Sequence, residues 1–363
     1  MKAALAAGSA AAAFFALSAA APPLAQADPF ADPRADKIPA LEQIGSFTNE
    51  PHDPACSDRR LVSTGGPAPR DRHTLAVRWT GFSNFELVYG GKIILLDAFF
   101  DRGPDYPPLG FTAADVKKAD VILLGHGHFD HMSDAASVGA RTGATVVGAP
   151  VTTEKLLTQA IDAKQVQTVT GRGDELLDFK DFTVEPILAR HGQPSKQITA
   201  VMEKAVNSLS PQPTPEQQAE EAVIKSRGTA DPRVITEGTI AYLITLDDGF
   251  RIMYRDSGGK LTDYEKSAMA RLGRVDLAIA ATTADYLYPL MIEQALAYLR
   301  TYKPAVFMPA HHDAPTSGHV PLWRASEPLF QALKDEDPNL VTMSREYREP
   351  VCFDTEFNVQ KAR

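Results

Sequence analysis

The stretch Asp120-Val121-Ile122-Leu123-Leu124-Gly125-His126-Gly127-His128-Phe129-Asp130-His131 decides how this chain is read. Its first half is a nearly unbroken apolar run closed by glycine, the pattern of a strand buried on both faces. Its second half places three imidazoles and one carboxylate within six residues. Neutral imidazole and carboxylate are ligands for a borderline divalent cation, and crowding them together is costly unless a positive ion sits among them. In a loop beyond a strand, His126 and His128 can aim at one ion while Asp130 and His131 point to a neighbouring one. Gly127 suits the tight backbone path such a loop needs.

One such cluster cannot complete two coordination shells, so further His or Asp residues are required at other strand ends. The segments Thr74 to Trp79, Phe85 to Tyr89 and Lys92 to Leu96 are β-rich, and Gly90-Gly91 between the last two marks a hairpin. His191 follows the strand-like Phe182 to Leu188. Thr239 to Leu246 and Phe250 to Tyr254 flank Asp247-Asp248-Gly249 as a second hairpin, and Asp256 lies just past its end. Val275 to Ala280 reads as a strand. Ile292, Ala295, Leu296 and Leu299 then recur at helical spacing before Pro304 stops the helix. Ala305 to Met308 supplies another strand, which runs into Pro309-Ala310-His311. Five of the nine histidines thereby become candidate ligands. His52, His73, His312 and His319 do not, and His312, beside a candidate, is read as supporting a ligand or touching substrate. Trp79 and Phe85 read as core, and Tyr286 and Tyr288, in a loop after a strand, are as readily packing residues as pocket residues.

These motifs together resemble the metallo-β-lactamase superfamily, whose second motif is the HxHxDH loop. The strand from Ile93 to Asp97 is similar to its first motif, His126 to His131 to the second, His191 to the third, Asp256 to the fourth and His311 to the fifth. The resemblance covers roughly residues 74 to 320. It implies a four-layer αββα sandwich, one metal held by His126, His128 and His191, a second by Asp130, His131 and His311, and Asp256 bridging them. Asp97 is then a support that orients a ligand. The segment Arg78 to Phe85 and Pro309-Ala310-His311 are most similar to the branch holding ascorbate-phosphate lactonase and the N-acyl-phosphatidylethanolamine phospholipase. That branch usually has His where this chain has Phe82, and an aromatic where it has His312. True β-lactamases resemble it less, since they carry Cys or Ser at the position of Asp256.

The function expected is a hydrolase in which two divalent ions, zinc first, with manganese, iron or nickel compatible, activate water against an ester, lactone or phosphodiester. Asp130 doubles as the group that orients that water or passes a proton. No G-x-S-x-G nucleophile elbow is present. A non-catalytic periplasmic metal- or ligand-binding protein of the same fold is the alternative from another class, and β-lactam hydrolysis a lesser one. The complete ligand set argues for turnover. Acidic residues outnumber basic ones by 46 to 37, for a net charge of -9, and no Lys/Arg cluster stands out, so a small molecule rather than nucleic acid is the expected substrate.

Around this centre the chain is organised in four parts. Residues 1–27 have a positive start, an Ala-rich apolar run and the small-residue site Ala25-Gln26-Ala27, which describes a signal peptide cut after Ala27 and export to the periplasm or beyond. No later run is long and apolar enough for a span. Residues 28–73, rich in Pro, Asp and Gly, read as an extended arm. Residues 74–363 form the hydrolase domain. Within it, 193–236 breaks the rhythm with Pro211, Pro213 and Pro215, followed by a helix signature in which Thr214 and Gln217 form a capping box and Gly228 an end. This insertion is either a surface elaboration or a lid. Cys56 and Cys352 are a poor metal site, and sequence leaves open whether they meet as a disulfide.

Overall fold

The computed structural model describes residues 53–103, 106–193, 213–282, 288–313 and 322–356, with the single positions 200 and 204. Residues 1–27, read above as a signal peptide, residues 28–52 of the expected arm with His52, and Pro211, Tyr286, the side chain of Tyr288 and His319 lie outside the described residues.

Among the described residues, fourteen strands form two sheets: β1 Thr74–Trp79, β2 Phe85–Tyr89, β3 Lys92–Leu96, β4 Val121–Leu123, β5 Thr145–Gly148, β6 Val166–Thr168, β7 Leu177–Asp178, β8 Phe182–Leu188, β9 Ile240–Leu246, β10 Arg251–Arg255, β11 Leu277–Ala281, β12 Val306–Ala310, β13 Val341–Thr342 and β14 Pro350–Asp354. The first sheet has the order β14-β1-β2-β3-β4-β5-β6 and the second β13-β12-β11-β10-β9-β8-β7. In each, an antiparallel half joins a parallel half: β14 through β3 are antiparallel neighbours and β3 through β6 parallel, while β7 through β10 are antiparallel and β10 through β13 parallel. The hairpin β2–β3 turns on Gly90 and Gly91, both at positive φ (56° and 79°), which the twist of a two-residue hairpin demands and glycine adopts without strain.

Strand alternation sorts the layers. In β9, Tyr242 and Ile244 join the core shared by the two sheets, whereas Ala241 and Leu243 face the other way and pack with Tyr298, Leu299, Leu329 and Leu333 of the helices Tyr288–Tyr302 and Leu322–Glu336. The same split divides Ile252 from Met253 in β10 and Leu277 and Ile279 from Ala278 in β11. Helices Ala135–Thr142 and Pro150–Leu156 are built on the connections between β4, β5 and β6 and contact β5. The result is an α/β sandwich with the two sheets inside. β4 is buried throughout, as its apolar run requires. The strand over Val275 to Ala280 starts later than its composition suggests, because the Val275 amide bonds to the carbonyl of Tyr302 (3.2 Å) rather than to the sheet. No described helix is long and apolar enough to cross a membrane.

The described part of the arm does more than lie extended. Ala55, Leu61 and Val62 are buried, and Glu86, fully buried in β2, accepts from the Val62 and Ser63 amides at 2.9 and 2.8 Å. Arg78, likewise buried in β1, donates to the Ala55 carbonyl at 2.6 Å. Cys56 and Cys352 do meet, as a disulfide with Cα atoms 5.6 Å apart that ties the arm to β14.

Candidate metal centre

β3, β4, β10 and β12 are strands of the parallel halves, and β8 runs the same way as β10 because two antiparallel steps separate them. Their carboxyl ends therefore deliver side chains to one edge of the sandwich, the usual place for a site in a layered α/β fold. Asp97 follows β3, residues 126–131 follow β4, His191 comes after β8, Asp256 after β10 and His311 after β12.

All seven candidate ligands come together there. His126 Nε2 lies 3.0 Å from His128 Nδ1, and the ring of His191 is 4.7 Å from each of theirs. Asp130 Oδ2 is 3.5 Å from His131 Nε2 and 3.4 Å from His311 Nε2. Asp256 Oδ2 stands between the two groups, 2.5 Å from His126 Nδ1 and 3.3 Å from His131 Nδ1. Three sets of ligand atoms lie within 4.8 Å of one another: His126, His128 and His191; His126, His131 and Asp256; and Asp130, His131 and His311. Ligands about 2.0–2.1 Å from a tetrahedral ion are roughly 3.3 Å apart, so these separations suit a bound cation.

The polar accounting also suits one. Asp256 Oδ1 and His311 Nδ1 are buried without a hydrogen-bond partner among the described residues. Burial, with repulsion from the neighbouring imidazoles, keeps His126 far below its ordinary pKa, and burial also lowers His128 and brings His191 down to about 4. Burial beside Asp97 drives the Asp256 carboxyl well up. Burial would lower His131 too, but Asp130, Asp97 and Asp256 push it up to about 10. Burial works to raise Asp130, yet His131 and His311 hold it well below the carboxylate range. Neutral imidazoles beside crowded buried carboxylates are a donor set that a buried dication would relieve.

The surroundings fix these side chains. Asp97 Oδ2 faces His131 Nδ1 at 2.7 Å and accepts from Ser83 Oγ at 2.6 Å and Tyr254 Oη at 2.7 Å, while Oδ1 accepts from the Gly125 amide at 2.9 Å. This bond at Nδ1 turns Nε2 of His131 towards Asp130. A Cβ at Gly125 would overlap the Asp256 carboxylate, so glycine lets that carboxylate reach across. Gly127 has no positive φ; its requirement is the close approach of Thr229 and Thr152. The loops bearing His191 and Asp256 touch backbone to backbone, since a Cβ at Gly192 would strike the Gly258 carbonyl. Arg255, fully buried, pins both: it donates to the Arg190 carbonyl at 2.9 Å, to Glu265 Oε1 at 2.9 Å and to Tyr298 Oη at 2.7 Å. His311, at φ 56°, donates its amide to the Phe82 carbonyl at 2.7 Å, and the Phe82 ring meets its imidazole edge-on.

His312 is placed otherwise. It is buried, stacks on Trp79 with ring centres 4.2 Å apart, and is not among the described residues that line the cavity, so it packs behind His311. The cavity itself, about 640 Å³, is walled by the candidate ligands other than Asp256, which lies beneath them, and by Phe129, Lys225, Thr229, Met291 and Gln294. The capping box at Thr214 forms as expected and opens the helix Pro215–Ser226. The described half of the insertion is therefore a cavity wall: the Thr229 amide donates to the Gly127 carbonyl at 2.7 Å, and Gly228 abuts Phe129. Sequence reasoning missed Ser83, Tyr254, Arg255 and Lys225. Met291 and Gln294 were legible only as the next stripe of the helix containing Ile292 and Ala295.

Residues 92–312 match the profile of the family described as beta-lactamase superfamily domain. The chain is 27% identical over 239 residues to a protein named as a metal-dependent hydrolase from Roseiflexus sp. (strain RS-1), covering 65% of this chain and 82% of that one. A protein of the same name from Heliobacterium modesticaldum is 41% identical over 73 residues, covering 20% of this chain and 29% of that one. Among solved structures, a metallo hydrolase from Ignicoccus hospitalis superposes with a TM-score of 0.51 at 17% identity, over 77% of this chain and 98% of that one, a likeness of fold.

Proposed function

Because the chain belongs to the beta-lactamase superfamily, we propose that it is a metal-dependent hydrolase that cleaves an ester, lactone or phosphodiester bond in a small molecule. One observation carries the reading: loops from four separate strand ends bring five imidazoles and two carboxylates to one edge of the sandwich, with Asp256 set between two groups of three. His126, His128 and His191 would hold one divalent cation, and Asp130, His131 and His311 a second, zinc being the first choice for such ligands. When bound, such ions lower the pKa of water and polarise the bond under attack.

The protein's own groups set the rest. Asp256 joins the two halves, and Asp97 holds His131 in one tautomer and orientation. Asp130, kept ionised by its histidine neighbours and facing the cavity, takes the proton of the attacking water and returns it to the leaving group. Export to an oxidising compartment is part of the same proposal, supported by the leader pattern at 1–27 and by the disulfide.

The test combines metal analysis with a panel of lactones, phosphodiesters, thioesters and β-lactams. Chelation should abolish hydrolysis, and restoring two divalent cations per chain should recover it. A protein that takes up no divalent metal, or that hydrolyses equally well without it, would overturn the reading.

A further inference from the structure

The helix Pro215–Ser226 carries Glu216, Glu220 and Glu221 and a single basic residue, Lys225. That lysine lines the cavity, where it is the only Lys or Arg among the described residues of the wall. Its place is held from both sides. Ile224, 5% exposed, packs against Phe82 and Phe99. On the other side, Arg227 pairs with the buried carboxylate of Asp134 at 3.2 Å, and its carbonyl accepts from Gln159 Nε2 at 2.9 Å. Lys225 Nζ thus stands 5.9 Å from the centre of the Phe129 ring, the residue between His128 and Asp130.

Within the protein its charge is met by Glu221, one turn back at 2.6 Å, with both side chains about half exposed. A solvated pair of this kind is weak and readily exchanged. An anion inside the cavity, less hydrated and flanked by Phe129 and Met291, is a stronger partner through a charge-assisted hydrogen bond. A chain whose net charge is -9 and whose insertion helix is otherwise acidic turns its one basic side chain of that helix to the site.

We propose that the substrate carries an anionic group, carboxylate or phosphate, apart from the bond that is cleaved, and that Lys225 binds it; the inference rests on the hydrolase reading above. Lys225 is a specificity residue that selects substrate rather than one that takes part in bond cleavage.

The experiment compares 4-nitrophenyl esters that share one chain and end in a carboxylate, a phosphate monoester or an uncharged methyl group. The metal-loaded wild type should favour one of the anionic esters by about tenfold or more in kcat/KM, and added salt should shrink that ratio. Lys225→Gln should lower the ratio about tenfold, mainly through KM. Lys225→Arg should keep it, and Glu221→Gln should raise it. A ratio near one in the wild type, or one that Lys225→Gln leaves intact, overturns the proposal. If no ester is hydrolysed, only the carboxylic-ester part of the hydrolase reading fails. Calorimetric titration of the metal-loaded protein with 4-nitrobenzoate and phenyl phosphate then decides this inference: about tenfold weaker binding by Lys225→Gln supports it, and equal affinity refutes it.

Discussion

Replacing Asp97 by Asn separates the work of this carboxylate as a support for the metal ligands from its work as a packing residue. Asp97 sits at φ 56°, a region where Asp and Asn are both favoured, so the backbone survives the change. The carboxylate faces four groups, with Ser83, Tyr254 and His131 on one oxygen and the Gly125 amide on the other. An amide keeps the first set if its carbonyl takes that side, and its NH2 then faces the Gly125 N–H, a buried donor left unpaired at a cost of about 1–3 kcal/mol. Against this loss stands relief of the Asp256 carboxyl, which burial and then the Asp97 charge drive up, but the buried ion pair of Asp97 with His131 is lost as well. The metal-free protein should therefore lose some stability on its own account. The metal-loaded protein should change more, because His131 loses a charged partner at Nδ1 and with it basicity at Nε2. A supporting carboxylate of this kind is worth roughly 10–100-fold in metal affinity. At fixed metal concentration that removes about 1.4–2.7 kcal/mol of metal-linked stabilisation, a fall in the metal-induced Tm shift on the order of 2–4 °C for a domain of this size. Thermal melts of wild type and Asp97→Asn, with and without added zinc, read the difference directly. If the variant lowers Tm by the same amount in both states, Asp97 is a packing residue only and the orientation argument is wrong.

Two further outcomes follow from the fold. Asp134 is buried, and burial raises its carboxyl to about 6 from an ordinary value of 3.8. A carboxyl raised in the folded state favours folding while protonated, so its contribution is fully present below about pH 4 and is lost as pH rises through about 6, roughly 3 kcal/mol in all. One oxygen accepts from the Phe100 and Asp101 amides at 2.7 and 2.9 Å, which an Asn carbonyl can also do. Asp134→Asn should accordingly gain stability relative to wild type as pH rises from 4 to 7, measured as denaturant midpoints, and a difference that does not vary with pH would contradict this. Removing the Cys56–Cys352 bridge, which spans 296 residues of sequence, as Cys56→Ala with Cys352→Ala should cost about 2–5 kcal/mol in equilibrium unfolding. No loss would mean that the arm is held by Arg78 and Glu86 alone.

The HxHxDH segment was legible because its ligands are close in sequence, and the β-rich and apolar runs on either side named nine strands to within two residues. His191, Asp256 and His311 could be picked out because each follows a recognisable strand, and the fold brings all three within ligand reach of the HxHxDH histidines or carboxylate. Arg255 and Lys225 were not legible. A charged residue in a strand or on an exposed-looking helix has the same sequence signature whether it faces solvent, pins two loops or lines a cavity. The orientation of His312 was equally hidden, since one residue of offset after β12 separates a side chain facing the cavity from one stacked on Trp79.

By itself, the order of residues determined the strands that lead into the centre, two hairpin turns and the chemical type of the centre, because these depend on local runs of apolar and β-branched residues, on glycine and on the affinity of imidazole and carboxylate for a cation. Only the tertiary structure decided that Cys56 meets Cys352, that the insertion helix walls the site, and that Asp256 stands between two groups of three ligands. Those are distances between residues far apart along the chain, set by how the two sheets pack and which strand ends share an edge, and no local pattern encodes them.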